Sequence, residues 1–482
     1  MNDDLKKLYE TLGYTGPMPD ETVSFSSLGE SSGELPPLDL ASLEQLEAEL
    51  NTNPRRLLKR VREMWARDMT LERLRKALAL ARRALETPNE VRAEIEVASF
   101  AIKPLPDGFD FPGMNEEPMI EINPEDRKFE NDDLVGLLGW ALFAGPFALA
   151  KGNKKDFLRH DPNNLNSFIY QMPNPAPGAP LEIALFADYG VGRYYSDHIA
   201  RQFFKRRFPY AIHLGDVYYA GREHEFRDNF IKQIDPILGF TNVFALNSNH
   251  EMFSKGKYYF DYIGARHKHL SGVQQQEGSY FCLRSDKFQI VGIDTAFFGA
   301  GRCEDKQQLE WLGNVLREGR ATNRINILLS ADHPYEYGNK KPTKLLSKDL
   351  KSFALDERLV DLWFWGNTHY GALFDHRPAA ANDMPALPFI GSCIGHGGYP
   401  YDTYSRGKFE PAPMIFLEDQ ARFPASTGIR QDKGNNGYCA MSLNADGSLR
   451  LQYIDWMSNV RFTADLSREQ ADKPLKIIPV VV

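Results

Sequence analysis

From Leu181 onward the chain alternates short apolar runs with amphipathic stretches, and this alternation limits the fold more than any other feature of the sequence. Leu181–Ala187, Tyr210–Leu214, Val243–Leu246, Lys287–Ile293, Ile325–Leu329 and Leu362–Trp365 read as strands, too short and too apolar for surface helices. Between them Ser196–Phe208, Glu223–Ile234 and the stretches near 305–317 and 349–360 carry helical periodicity. Strands that alternate with helices predict an α/β domain with a buried, largely mixed sheet. Its functional loops should then lie beyond the carboxyl ends of the strands.

Those strand ends carry the chemistry. Asp188-Tyr189-Gly190 follows the first run and Gly215-Asp216-Val217-Tyr218-Tyr219 the second. Ser248-Asn249-His250-Glu251 follows the third, Ala331-Asp332-His333-Pro334 a later one, and Gly366-Asn367-Thr368-His369 the last. Singly, Asp188 reads as a helix cap and His250 as a surface histidine. In order at successive strand ends, the carboxylates, amides and imidazoles form the donor set that two closely spaced divalent or trivalent ions require.

These motifs resemble the calcineurin-like metallophosphoesterases, and within them the purple-acid-phosphatase branch, marked by D-x-G, G-D-x-x-Y, G-N-H-D/E, a lone His and G-H-x-H. DYG at 188–190, GDVYY at 215–219 and NHE at 249–251 carry the likeness, which covers roughly 181–456. The resemblance implies a β-sandwich flanked by helices (αββα) and a phosphatase acting on phosphomonoesters or phosphodiesters. It implies that Asp188, Tyr219 and His369 hold a first ion, that Asp216 bridges two ions, and that Asn249 helps to hold the second. His250 would serve the leaving group beside the phosphate, and a hydroxide bound to metal would attack in line. A phenolate ligand favours Fe(III) at the first position; Mn(II), Zn(II), Fe(II) or Mg(II) would fill the second. Arg193, His250 and His396 are the candidate substrate contacts.

The sequence departs from the pattern around the second ion. Asn367 stands in place of the first His of G-H-x-H, Asp332 and Ala331 stand where the lone His is expected, and His333 lies one step out of register. Ser248 replaces the Gly of G-N-H. Three readings follow: an oxygen-rich second site built with Asp332, His333 and Asn367, an empty one, or ligands replaced by engineering. The competing functional class is an impaired or inactive protein of the same fold that acts as a binding or membrane-associated partner.

The first 180 residues lie outside the resemblance. Residues 1–40 are polar and turn-rich and are expected to form a flexible arm, and 41–130 a helical region with Leu43, Leu46, Leu50, Leu57, Val61, Leu74 and Leu78 at helical spacing. The arginines and lysines between Arg55 and Arg83 read as a solvated helix face, or as a surface for an acidic protein or anionic lipid. Residues 131–180 combine an uncharged run, 134–150, with a linker punctuated by Pro173, Pro175, Pro177 and Pro180. The run is shorter than the ~20 apolar residues of a spanning helix, so it reads as a buried helix or as a membrane-inserting hairpin. Residues 457–482 are expected to form a C-terminal extension.

Composition excludes some classes. The net charge of −8 argues against nucleic acid as a stable partner. Four widely spaced cysteines and an N-terminus without a signal-peptide plan point to free thiols and a cytoplasmic location, peripheral to a membrane under the hairpin reading of 134–150. Tyr189, Tyr194, Tyr195, Tyr218, Tyr258 and Tyr259 gather near the strand-end loops, either as core packing or to stack on an aryl or nucleobase group.

Overall fold

The computed structural model of the chain describes residues 3–11, 38–64, 70–99, 138, 140–144, 154–164, 166–234, 237–266, 276–380, 383–422, 433–470 and 473–480. The first eight strands are β1 (Ile169–Gln171), β2 (Leu181–Phe186), β3 (Tyr210–His213), β4 (Asn242–Ala245), β5 (Phe281–Arg284), β6 (Phe288–Ile293), β7 (Ile325–Ser330) and β8 (Leu362–Trp365). They are followed by β9 (Gly371–Phe374), β10 (Ile390–Ile394), β11 (Met414–Leu417), β12 (Gly437–Leu443), β13 (Leu449–Asp455), β14 (Val460–Ser467) and β15 (Lys476–Val480).

Two mixed sheets result, in the orders β1-β5-β6-β7-β8-β10-β9-β11 and β15-β14-β13-β12-β2-β3-β4. Period-2 alternation explains why they stack. Ile183 and Leu185 of β2, Ile327 and Leu329 of β7, and Leu362 and Phe364 of β8 enter one core shared by both sheets. Ala184, Phe186, Leu328, Trp363 and Trp365 point the other way and pack with helical residues such as Ile199, Phe203, Leu312 and Leu316. Both faces of the strands are therefore apolar, as in sheets covered on both sides. This is the helix-flanked two-sheet sandwich expected from the sequence.

The expected helix 223–234 runs without interruption, passing through a π-helical turn at Arg227–Ile231 between Glu223–Phe226 and Lys232–Ile234, and the stretch near 349–360 is π-helical at Ser352–Asp356. The sheet does not stop at 456: β14 and β15 extend it, with Leu466 and Leu475 in the inter-sheet core. Within the expected linker, β1 pairs in parallel with β5. All four cysteines are buried free thiols.

The N-terminal region is helical: α1 (Asp3–Thr11), α2 (Leu40–Thr52), α3 (Pro54–Met64), α4 (Leu71–Glu86) and α5 (Pro88–Ser99). Asp39 caps α2 by accepting from the Ser42 amide at 2.7 Å, Thr70 caps α4 through the Arg73 amide at 3.1 Å, and Pro54 opens α3. Leu43, Leu46, Leu50, Leu57, Val61, Leu74 and Leu78 form its core. Part of the basic face is compensated internally, since Arg60 pairs with Glu49 at 2.9 Å, Arg82 with Glu47 and Glu86, and Arg83 with Glu94.

Leu138, Trp140, Ala141 and Leu142 are buried in the same helical core, and the Leu38 amide donates to the Leu142 carbonyl at 2.8 Å. Residues 134–137, 139 and 145–150 of that run, and Trp65 and Arg67, lie outside the described residues. Among the described residues no helix is long and apolar enough to cross a membrane. The helical region also reaches the strand-end edge. Tyr219 packs against both its core and the core outside the sheets, and α3 lies against the short helix Asn249–Phe253.

Candidate metal centre

The parallel runs β2-β3-β4 and β6-β7-β8-β10 direct their carboxyl ends to one edge. Four residues there hold left-handed backbone conformations: Asp188 at φ 55°, Asp216 at 80°, Asn367 at 61° and His369 at 48°. Non-glycine residues rarely adopt this region, and such conformations gather where surrounding structure fixes a functional side chain. The loops are tied to one another. The Asp188 amide donates to Gly215 O at 3.0 Å, the Tyr218 amide to Gly190 O at 2.8 Å, and the Tyr399 amide to Asp188 O at 2.8 Å. Gly366 is required by close approach, because a Cβ there would lie 2.7 Å from the Ala187 Cβ and 2.8 Å from an Asp188 oxygen.

The result is a compact donor cluster. One ligand atom each from Asp188, Asp216 and His369 lies within 4.8 Å of the others. The Tyr218 hydroxyl sits among them, 2.7 Å from Asp188 Oδ1, 2.9 Å from Asp216 Oδ2 and 3.2 Å from His369 Nε2. One hydroxyl proton cannot serve three acceptors at once, so the cluster has more lone pairs than protons. Burial pushes the Asp188 carboxyl up to about 6 against the hydrogen bonds that favour its ionised form. Burial also pushes Asp216 up, with Asp188 as a like-charged neighbour, and pushes the His369 imidazole down to about 4. A cation among these atoms would oppose both carboxyl shifts and favour the neutral imidazole that burial already imposes. The His369 ring is further fixed by stacking on Tyr399 at 4.0 Å.

The phenol that the structure brings to the cluster is Tyr218, not Tyr219. Glu225 sets this turn by accepting from the amides of Tyr219 at 2.7 Å, Ala220 at 2.9 Å and Arg222 at 2.9 Å. Burial alone would push the Glu225 carboxyl up, but Arg222, His224 and these amides hold it at about 2. With the backbone pinned this way, the Tyr219 side chain turns to the N-terminal helical core. The Tyr219 carbonyl accepts from His250 Nδ1 at 2.6 Å. A carbonyl can only accept, so that nitrogen carries a proton and Nε2 is the working atom of His250.

Around the expected second position the donors face one another. Asp332 accepts from Thr295 Oγ1 at 2.8 Å on one oxygen and from Asn367 Nδ2 at 2.9 Å on the other. The Asn367 amide donates to Asp188 Oδ2 at 2.8 Å. Ser248 contributes a further obstruction, because its hydroxyl lies between Asp216 Oδ1 and Glu251 Oε2 in close contact with both. Glu251 in turn accepts from the amides of Val217 at 2.8 Å and Ser248 at 3.0 Å, joining the two loops. The S-x-x-E spacing of Ser248 and Glu251, a capping-box pattern, was the sequence signal for this pair. Asn249 Oδ1 is buried and accepts no hydrogen bond among the described residues. His333 is buried, and its carbonyl accepts from Thr343 Oγ1 at 3.0 Å.

The remaining candidates are dispersed. The His396 ring is buried against Gly371 and Gly437. Arg193 stands at the start of the helix Tyr194–Arg206. Tyr189, Tyr195 and Tyr259 are core residues, and Tyr258 packs against that core.

No family model matches the chain, and no curated protein matches it. It is similar to the solved structure of purple acid phosphatase PPD1 from yellow lupin (Lupinus luteus) seeds, at 17% identity and a TM-score of 0.47. That similarity covers 63% of this chain and 56% of the lupin chain. The structure of PhoD is similar at 13% identity and a TM-score of 0.44, over 65% of this chain and 74% of that one. A dimetal phosphatase from Danio rerio is similar at 14% identity and a TM-score of 0.34, over 57% of this chain and 96% of that one.

Proposed function

We propose that the chain is a metal-dependent phosphoesterase whose working centre is the Asp188–Asp216–Tyr218–His369 cluster. The observation that carries this reading is the convergence of two buried carboxylates, a phenol and an imidazole on one point, from three strand ends. Such a donor set, rich in hard oxygen, fits a cation such as Fe(III) or Mn(II). An ion held there would act as a Lewis acid toward a phosphoryl oxygen and lower the pKa of water.

The protein supplies the rest. Asp188 and Asp216 bring negative charge into a dry edge, and His369 is fixed in its plane by Tyr399. His250, pinned through Nδ1 by the Tyr219 carbonyl, presents Nε2 to hold or move a proton for the leaving group. Asn249 Oδ1 offers a neutral oxygen donor beside them. The second-ion donors do not fit as arranged, since both Asp332 oxygens and Asp216 Oδ1 are engaged. No step is assigned to a second ion. The same engagement favours the second reading, a phosphate-binding protein of this fold without turnover.

Elemental analysis of protein purified without chelators should find one ion per chain, and iron- or manganese-loaded protein should release phosphate from an aryl phosphate. Asp216→Ala should abolish that release. Absence of release at every metal load would reject the enzyme in favour of the binding protein.

The choice of phenol has its own test. If iron is bound as Fe(III), Tyr218→Phe is expected to remove the visible phenolate charge-transfer band, whereas Tyr219→Phe retains it. The opposite pattern would return the ligand role to Tyr219.

A further inference from the structure

Glu225 is a buried carboxylate that the proposed chemistry does not use. Its Oε1 accepts the Tyr219 amide at 2.7 Å, and its Oε2 accepts the amides of Ala220 and Arg222, each at 2.9 Å. Arg222 also pairs with it through its side chain at 3.3 Å, and both side chains are shielded from water. Against the cost of burial, Arg222, His224 and these amides hold the carboxyl at about 2, so it is ionised.

The Ala220 amide and the Tyr219 carbonyl belong to one peptide unit. That unit is trans, so its N–H and its C=O point in opposite directions. Glu225 Oε2 takes the N–H on one side, and on the other the carbonyl accepts from His250 Nδ1 at 2.6 Å. Carboxylate, peptide and imidazole therefore form one continuous line. Turning the peptide plane would break both hydrogen bonds together. A negative charge at the N–H end also polarises the amide and makes its oxygen the stronger acceptor. The imidazole reaches the centre directly, because its ring lies edge-to-face on Tyr218 with centroids 4.4 Å apart. Phe253 at 4.9 Å and Tyr219 at 5.2 Å confine it further. Apolar packing of this kind fixes the plane of the ring but does not tell Nδ1 from the carbon opposite it. The hydrogen bond to the Tyr219 carbonyl does.

We infer that Glu225 is the positioning residue of His250, acting through the Tyr219–Ala220 peptide to hold the imidazole as its Nδ1–H tautomer with Nε2 as the working atom. The consequence for turnover rests on the phosphoesterase reading; the tautomer does not. Nitrogen NMR of the metal-free full chain, isotope-labelled in histidine and assigned with His250→Gln, reads the tautomer. Wild type is expected to show His250 protonated at Nδ1 alone. Glu225→Gln should shift it toward a mixture, because one glutamine oxygen cannot replace two on the turn amides. Arg222→Gln keeps the carboxylate on those amides and should retain the wild-type tautomer. Should Glu225→Gln fail to fold, Glu225→Gln/Arg222→Gln asks the same question without leaving a buried cation unpaired. Protonation at Nε2 in wild type, an unchanged tautomer once Glu225 is replaced, or an equal shift in Arg222→Gln would each overturn the inference.

Kinetics of the metal-loaded chain supply the second readout. Glu225→Gln should lower kcat on phenyl phosphate about tenfold or more and leave KM within about twofold. The loss should be smaller on para-nitrophenyl phosphate, whose leaving group needs less help from a proton. In a His250→Gln background, Glu225→Gln should cost nothing further, since the two residues act as one unit. The full loss repeated in that background would make Glu225 a structural residue of the turn and overturn the inference. If wild type releases no phosphate at any metal load, the phosphoesterase reading falls, and the tautomer measurement alone decides the role of Glu225.

Discussion

Asp188→Asn is expected to strip the chain of its bound ion and, at neutral pH, to make the metal-free protein more stable than wild type. Loss of a direct anionic ligand should lower metal affinity by about a hundredfold or more, and phosphate release with it. The stability gain follows from burial. Asp188 is fully buried and its carboxyl is pushed from an ordinary value of 3.8 up to about 6. A carboxyl raised in the folded state gives its full stability below the unfolded pKa and loses it as pH climbs through the folded pKa. Metal-free wild type should therefore lose stability between about pH 4 and pH 6, by roughly 3 kcal/mol for a shift of this order. Asparagine keeps one acceptor for the Asn367 amide and meets the Tyr218 hydroxyl with an N–H, which that oxygen can accept.

Thermal denaturation of metal-free protein at pH 4 and pH 7, with elemental analysis of metal-loaded samples, reads both halves. The wild-type melting temperature should fall over that interval and the variant's should fall less. Asp216 and Glu251 are also raised by burial, so a residual fall should persist in the variant toward higher pH. Retention of one tightly bound ion by Asp188→Asn would place the ion elsewhere.

Ser248→Gly is expected to act in the opposite direction on metal. The Ser248 hydroxyl occupies Asp216 Oδ1, the oxygen that a bridging carboxylate would turn toward a second ion. Removing it frees that oxygen and takes away the hydroxyl between Asp216 and Glu251, two buried carboxyls already raised by desolvation. Metal-free protein should then be destabilised by about 1–3 kcal/mol, the cost of a lost buried hydrogen bond. Glycine remains an acceptable cap for the helix Asn249–Phe253, losing only a few tenths of a kcal/mol there.

With Mn(II) in excess, the second position should gain about tenfold in affinity in Ser248→Gly. Adding Asn367→His, which removes the donor to Asp332 Oδ1 and supplies an imidazole, should bring the gain to about a hundredfold. Titration calorimetry and ion counting check this, and a stoichiometry fixed at one ion in both variants would show that Ser248 is not what blocks the position.

The sequence by itself determined the architecture and the edge on which chemistry collects. Period-2 alternation in runs such as 325–330 and 362–365 is a local property, and it sorts their side chains into two faces before any neighbour is known; because both faces are apolar, packing decides which one enters the shared core. The loops after those runs must then emerge together, which gathers donor residues at one edge; the naming of Asp188, Asp216 and His369 as partners came from the resemblance in their motifs. The amphipathic spacing of Leu43, Leu46, Leu50 and Leu57 likewise located the helical region.

What only the tertiary structure decided depends on partners distant in the chain or on a single side-chain direction. Tyr218 and Tyr219 are adjacent, and the choice between them is made by Glu225 clamping the amides of their turn and by the helical core that receives Tyr219. Ser248 reads as a mild replacement of glycine, yet its hydroxyl lands between two buried carboxylates. His396 sits in a glycine-rich loop suited to ligands, but the glycines make room for its ring in the interior. Periodicity specifies the face a residue occupies; which atom meets which across that face is set by packing between segments far apart in sequence.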